Sequence, residues 1–188
     1  MSDDWLRIIP TKPDYIPTPD QIQRAISILA PAWSARQPRV IKAKEEDWSP
    51  GVGEIVFQVV IRDDIEFIDN GANLDAIKCP HCNQILAEDW WGEAVDKAHK
   101  AKFRNLTVQM PCCGRQSSLN DLSYDWPVGF ARFSISIMNP VREDATTGIP
   151  VTETITRTRF TLMHPDEETL IRVGEALGCS VREIIAHY

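Results

Sequence analysis

Apolar positions change period within the first thirty residues. Trp5, Leu6, Ile8 and Ile9 crowd into a short run that Pro10 closes, which reads as a strand. Ile22, Ala25, Ile26 and Leu29 then recur at i, i+3, i+4 and i+7, one apolar face of a helix. Its start is written into Thr18-Pro19-Asp20-Gln21. Thr18 caps, proline suits the first turn, and Gln21 sits three residues on, where it completes a capping box. Pro31 is expected to end this helix. Residues 39–42 then read as a short strand, and 54–61, rich in Val and Ile, as a longer one.

The C-terminal segment repeats the plan. Phe130 to Met138 alternates, with Phe133, Ile135 and Ile137 on one face and Ser134 and Ser136 on the other. Across a turn-rich stretch, residues 139–150, it is expected to pair as a hairpin with residues 152–162. His164-Pro165-Asp166-Glu167-Glu168 then opens a helix, with proline at its first position and three acids at its positive end. Leu170, Val173 and Leu177 give the inward stripe, Gly178 stops it, and residues 180–187 read as a last strand. Strand–helix–strand thus occurs at both ends. Two such units sharing one sheet predict an α+β sandwich of split βαβ type: a mixed or antiparallel sheet with helices on one face. The expected organisation is a single α+β domain over 1–188, with residues 76–126 inserted within it.

Composition narrows the function classes. The chain has 188 residues, 43% hydrophobic and 25% charged, which suits one globular domain with a real core. No apolar run reaches the roughly 18 residues of a membrane span. The acidic start, Met1-Ser2-Asp3-Asp4, does not read as a secretory signal, so the expected location is cytoplasmic. There thiols stay reduced, and clustered cysteines more often bind metal than pair as disulfides. The net charge of −7 disfavours nucleic acid and anionic lipid as partners and suits a basic protein.

Four of the five cysteines fall in two matching hexapeptides. Lys78-Cys79-Pro80-His81-Cys82-Asn83 and Gln109-Met110-Pro111-Cys112-Cys113-Gly114 align position for position. Each ends in a residue tolerant of left-handed backbone, Asn83 or Gly114. Over residues 76–116 the chain resembles a zinc ribbon, whose usual form is two C-P-x-C-G knuckles on facing hairpins. The resemblance carries over Cys79, Cys82 and Cys113 as ligands of a structural Zn2+. It departs in the second knuckle, where Met110 stands in the first cysteine's slot and Cys112 follows the proline. Cys112 is the expected fourth ligand, because thiolate is preferred in a closed structural site. His81 and His99 are the alternatives. Two adjacent ligands are expected to distort the local backbone. The long gap between Cys82 and Cys112 is explained by a helix over residues 87–102.

Other chemistries compete for the same residues. Cys-Pro-His-Cys is also the active-site sequence of oxidising thiol–disulfide exchange proteins. There it must follow a buried strand and open a helix, whereas here a turn at residues 69–75 precedes it. Trp90 and Trp91, with Lys97, Lys100, Lys102 and Arg104, suggest a grip on nucleic acid, offset by Glu88, Asp89, Glu93 and Asp96. The two tryptophans point about 100° apart, so one is expected in the core and the other exposed. Asp63, Asp64, Glu66 and Asp69 read as a solvated turn in preference to a cation site. Cys179 reads as a buried core thiol. The histidines at 81, 99, 164 and 187 lie in separate elements, and no phosphate loop, nucleophile elbow or HExxH pair occurs. No catalytic or cofactor-binding residue is therefore assigned. The expected role is an interaction protein, in one form a bacterial immunity or adaptor protein that neutralises a basic partner. Ser117 to Phe130, with Asp121, Tyr124, Asp125 and Trp126, is its expected contact surface.

Overall fold

The computed structural model describes residues 4–33, 39–42, 56–138 and 165–188. The expected hairpin arm at 152–162 and His164 lie outside the described residues.

Strand β1 (Asp4–Pro10) leads to helix α1 (Pro19–Leu29), which begins as its sequence dictates. The Gln21 amide donates to Thr18 Oγ1 at 3.4 Å, and Gln21 Oε1 accepts from the Thr18 amide at 2.7 Å, closing both halves of the capping box. Ala25, Ile26 and Leu29 are buried, with Ile22 packed beside them. Pro31 ends the α-helix less abruptly than expected, since a 3-10 turn carries on through Ala30–Trp33. Strand β2 (Arg39–Lys42) falls where it was expected.

Strand β3 (Val56–Ile68) runs well past Ile61. Its partner is β8 (Gly129–Met138), and the register slips between them: Ile61 faces Phe133 and Glu66 faces Ala131, five steps on one strand against two on the other. This bulge absorbs Asp63 and Asp64, so they belong to an extended strand and not to a turn. Arg62 is buried there; its Nε donates to Glu66 Oε2 at 2.6 Å and its Nη1 to Ser134 Oγ at 3.2 Å. Beyond the bulge, Phe67 lies opposite Phe130 and starts a second core.

Helix α3 (Glu167–Leu177) is capped by Asp166, whose Oδ1 accepts from the Thr169 amide at 2.7 Å, and strand β9 (Val181–His187) ends the chain. The five-stranded sheet runs β2-β3-β8-β1-β9, with β2 parallel to β3 and every other pair antiparallel. Each βαβ unit therefore straddles a strand of the other: β8 separates β1 from β3, and β1 separates β8 from β9. This is the interleaved split βαβ topology of ferredoxin-like folds, and it makes the protein α+β. Both terminal helices seal one face over Leu6, Ile8, Phe57, Phe133, Ile135 and Ile185. The opposite face departs from simple alternation, because Ser134 and Ser136 are buried as completely as their apolar neighbours.

Gly178 ends α3 at φ +80°, a left-handed cap that satisfies the Gly174 and Glu175 carbonyls. A methyl group at 178 also meets Gln21 Nε2 at 2.6 Å and Tyr15 Oη at 2.9 Å, disturbing the Tyr15 hydroxyl that donates to the Leu177 carbonyl. Gly178→Ala is expected to lower stability by about 1–2 kcal/mol, read as an earlier urea midpoint at unchanged slope.

Candidate metal centre

Between β3 and β8 the chain builds four very short strands and a helix. Strand β4 (Ile77–Lys78) pairs with β7 (Ser123–Tyr124), and β5 (Thr107–Gln109) pairs with β6 (Gln116–Ser118). Helix α2 (Glu88–Lys100) fills the gap between the two cysteine turns, as their spacing requires. Pieces this small bury little surface of their own. They gather over a second core made of Ile77, Leu86, Phe103, Met110, Leu119 and Phe130.

The matching hexapeptides adopt matching turns. Cys79 donates its amide to the Gln84 carbonyl at 2.9 Å, and Met110 donates to the Arg115 carbonyl at 2.8 Å. Asn83 donates to the Cys79 carbonyl, and Gly114 to the Met110 carbonyl, both at 2.9 Å. Asn83 and Gly114 both take the left-handed backbone, at φ +59° and +68°. Apart from Gly114, no residue of the second turn has positive φ, and the turn keeps the hydrogen bonds of the first. Cys112 occupies the third place of its turn, which His81 fills in the first, and the two side chains part there: His81 turns to the Gln116 carbonyl, whereas Cys112 Sγ lies 3.4 Å from Cys82 Sγ. Met110, in the first place, turns inward and is 1% exposed.

The sulfurs of Cys79, Cys82, Cys112 and Cys113 all lie within 4.8 Å of one another. Across the two turns, Cys79 Sγ is 3.7 Å from Cys113 Sγ, and Cys82 Sγ is 3.4 Å from Cys112 Sγ. A tetrahedral ion with bonds of about 2.3 Å to sulfur needs sulfurs about 3.8 Å apart. The cluster thus has the size and donor set of a four-thiolate metal site. The His81 amide also points at Cys79 Sγ, 3.4 Å away, in the manner of a knuckle.

Burial and hydrogen bonds divide the thiols. Burial pushes the Cys79 thiol up, but the amides of His81 and Cys82 and the thiols of Cys112 and Cys82 outweigh it, bringing its pKa down to about 6. Burial pushes Cys112 to about 12, reinforced by its hydrogen bonds with Cys82, Cys79 and Cys113 and by the charge of Cys113. A metal captured there requires its ligand sulfurs as thiolates, so binding releases protons.

Neither alternative fourth ligand joins the cluster. His81 is exposed, and its Nε2 donates to the Gln116 carbonyl at 3.0 Å. His99 sits on α2 with its ring 5.4 Å from that of Phe103. The geometry required for thiol–disulfide exchange is also missing. Cys79 follows a two-residue strand, and a turn, not a helix, occupies residues 80–82.

Several other sequence-level candidates take plain structural roles. Lys102 Nζ lies 2.6 Å and Arg104 Nη2 3.2 Å from the Asp64 carboxylate, which the two cations hold below the usual carboxylate range. That pairing accounts for two of the four cations in the nucleic-acid reading. Trp90 and Trp91 both pack against the second core, contrary to the expectation that one is exposed. Trp91 Nε1 donates to Tyr124 Oη at 3.2 Å, and Tyr124 donates onward to the Leu119 carbonyl at 2.7 Å. Burial raises the Tyr124 pKa to about 12. Tyr124 is thus a support beneath the centre, whereas Trp126 and Asp121 of the expected contact surface are exposed and Asp125 pairs with Lys78 at 3.2 Å. Cys179 is only half-buried. Among the described residues no helix is long and apolar enough to cross a membrane. No protein-family model, curated protein or solved structure matches this chain.

Proposed function

We propose that this chain is a non-catalytic interaction domain of the cytoplasm, stabilised by a structural zinc ion, with residues 76–126 as an insert that folds on its metal. One observation carries the reading: two matching turns bring four thiol sulfurs within 4.8 Å of one another. Four thiolates in tetrahedral array favour Zn2+ and leave no open position for a substrate or an activated water. Such an ion holds structure, and function falls to the surface around it. The acidic surface, net −7, suits a basic protein partner of the kind an immunity or adaptor protein captures.

Elemental analysis tests the metal directly. Protein purified from zinc-supplemented cells is expected to carry about one zinc per chain, and Cys82→Ala or Cys113→Ala to carry almost none. Folded wild-type protein free of any metal overturns the reading, and stoichiometric iron in place of zinc corrects the metal. A disulfide-exchange assay separates this reading from redox chemistry, since catalytic turnover dependent on Cys79 and Cys82 sinks the structural role.

A further inference from the structure

A groove of about 570 Å³ runs along α3, remote in sequence from the cysteine centre. One side is a single helical stripe, Glu167, Ile171, Gly174 and Gly178, at i, i+4, i+7 and i+11. The core stripe, Val173 and Leu177, faces elsewhere. The facing side is the backbone and side chains of Cys179, Ser180 and Val181. Gly174 brings the two sides together: a methyl there sits 3.1 Å from the Cys179 carbonyl oxygen, so the floor is bare main chain. Ile171 lines it as an apolar side chain that is 57% exposed.

Charge singles out the occupant. Glu167 and Glu175 line the groove, and among the described residues no lysine or arginine does. From Glu167 to Gly178 the stripe spans about 16 Å at roughly 1.5 Å per residue, which matches three turns of a second helix. Two glutamates on one side, beside the apolar side chains of Leu170, Ile171 and Val181, are complementary to an amphipathic helix with an apolar ridge and flanking lysine or arginine.

We infer that the α3 groove docks a basic amphipathic helix of a partner protein. The inference rests on the interaction reading above and supplies its surface, and it moves that surface away from residues 117–130.

Two fluorescent peptides of roughly fourteen residues test it, one a Leu/Lys amphipathic helix and the other its Leu/Glu counterpart. The zinc-loaded protein is expected to bind the basic peptide with Kd on the order of 10 µM at low salt, and the acidic one at least tenfold more weakly. Ile171→Asp, and separately the pair Glu167→Lys with Glu175→Lys, are each expected to weaken binding roughly tenfold. All three positions are exposed, so these variants keep the fold. Site-resolved maleimide labelling gives a second readout, because bound peptide shields Cys179. Equal binding of both peptides, undiminished binding by the variants, or unshielded Cys179 overturns the inference. A dimer that Ile171→Asp splits also overturns it, by assigning the groove to a second copy. Zinc content is read on the same samples, so loss of the metal reading and loss of the groove reading are told apart.

Discussion

Removing the metal with a chelator, or replacing Cys79 with alanine, is expected to melt everything between β3 and β8 while the βαβ sheet retains its secondary structure. The centre's immediate elements are strands of two or three residues and one helix, too small to hold a hydrophobic layer without a staple. Structural zinc in small modules contributes on the order of 10 kcal/mol of apparent binding energy, which here is folding energy for the same segment. Cys79 is the most damaging ligand to lose. It is completely buried, it packs with Ile77, Leu86 and Met110, and its amide closes the first turn. Cys82 and Cys113 are exposed, so their loss removes a metal ligand and little packing.

The measurement is a split response. Near-UV circular dichroism should collapse, because Trp90, Trp91 and Tyr124 are all held by the second core. Far-UV signal from α1 and α3 should persist, since both helices pack on a separate core. Restoring zinc to the chelated wild type should bring back the near-UV signal, and Cys79→Ala should not respond. Unchanged spectra after verified metal removal would make the four cysteines passengers on a module that folds by packing alone.

Those two cores also explain what was legible in the sequence. Features set by a few neighbouring residues read correctly: the Thr18–Gln21 capping box, the Gly178 stop, the strand at 39–42, and the pairing of the two hexapeptides. Each depends on backbone geometry that adjacent side chains impose. What escaped depends on distant contacts. Asp63 and Asp64 look like a turn because charged pairs seldom sit inside strands, yet β8 holds the strand through a bulge and Lys102 and Arg104 answer Asp64. Ser134 and Ser136 look solvent-facing by alternation, but Ser134 is claimed by the buried Arg62. Trp90 and Trp91 both pack because the second core partly wraps α2, which a one-faced helix pattern does not express. The strands of two and three residues are too short to show any period. The place of Cys112 was ambiguous because adjacency in sequence suggested strain and the same place in the first turn holds His81, which faces outward, so only the fold shows the Cys112 sulfur beside the other three.

Phe130→Ala is expected to be the most costly single core truncation, at about 3–5 kcal/mol. Phe130 is fully buried and sits on β8, a central strand of the sheet, opposite Phe67 of β3. Its ring is 5.2 Å from those of both Phe67 and Phe103, so it joins the sheet to the segment that follows α2. Phe67 in turn meets Trp91 edge-on at 5.9 Å, and Trp91 meets Tyr124 at 6.4 Å. Truncation leaves a cavity where the metal-bearing segment rests on the sheet, and neither backbone is free to collapse into it. Each is pinned, one by the β3–β8 ladder and the other by the cysteine turns. The effect should therefore be to uncouple the two cores: thermal unfolding followed by near-UV and far-UV signals should separate into two transitions, where the wild type shows one. Phe130→Leu, which keeps most of the volume, should lose less than half as much and keep the transitions together. If Phe130→Ala instead lowers both transitions equally, the two cores are one folding unit, and the metal centre stabilises the whole chain through a contact other than this ring.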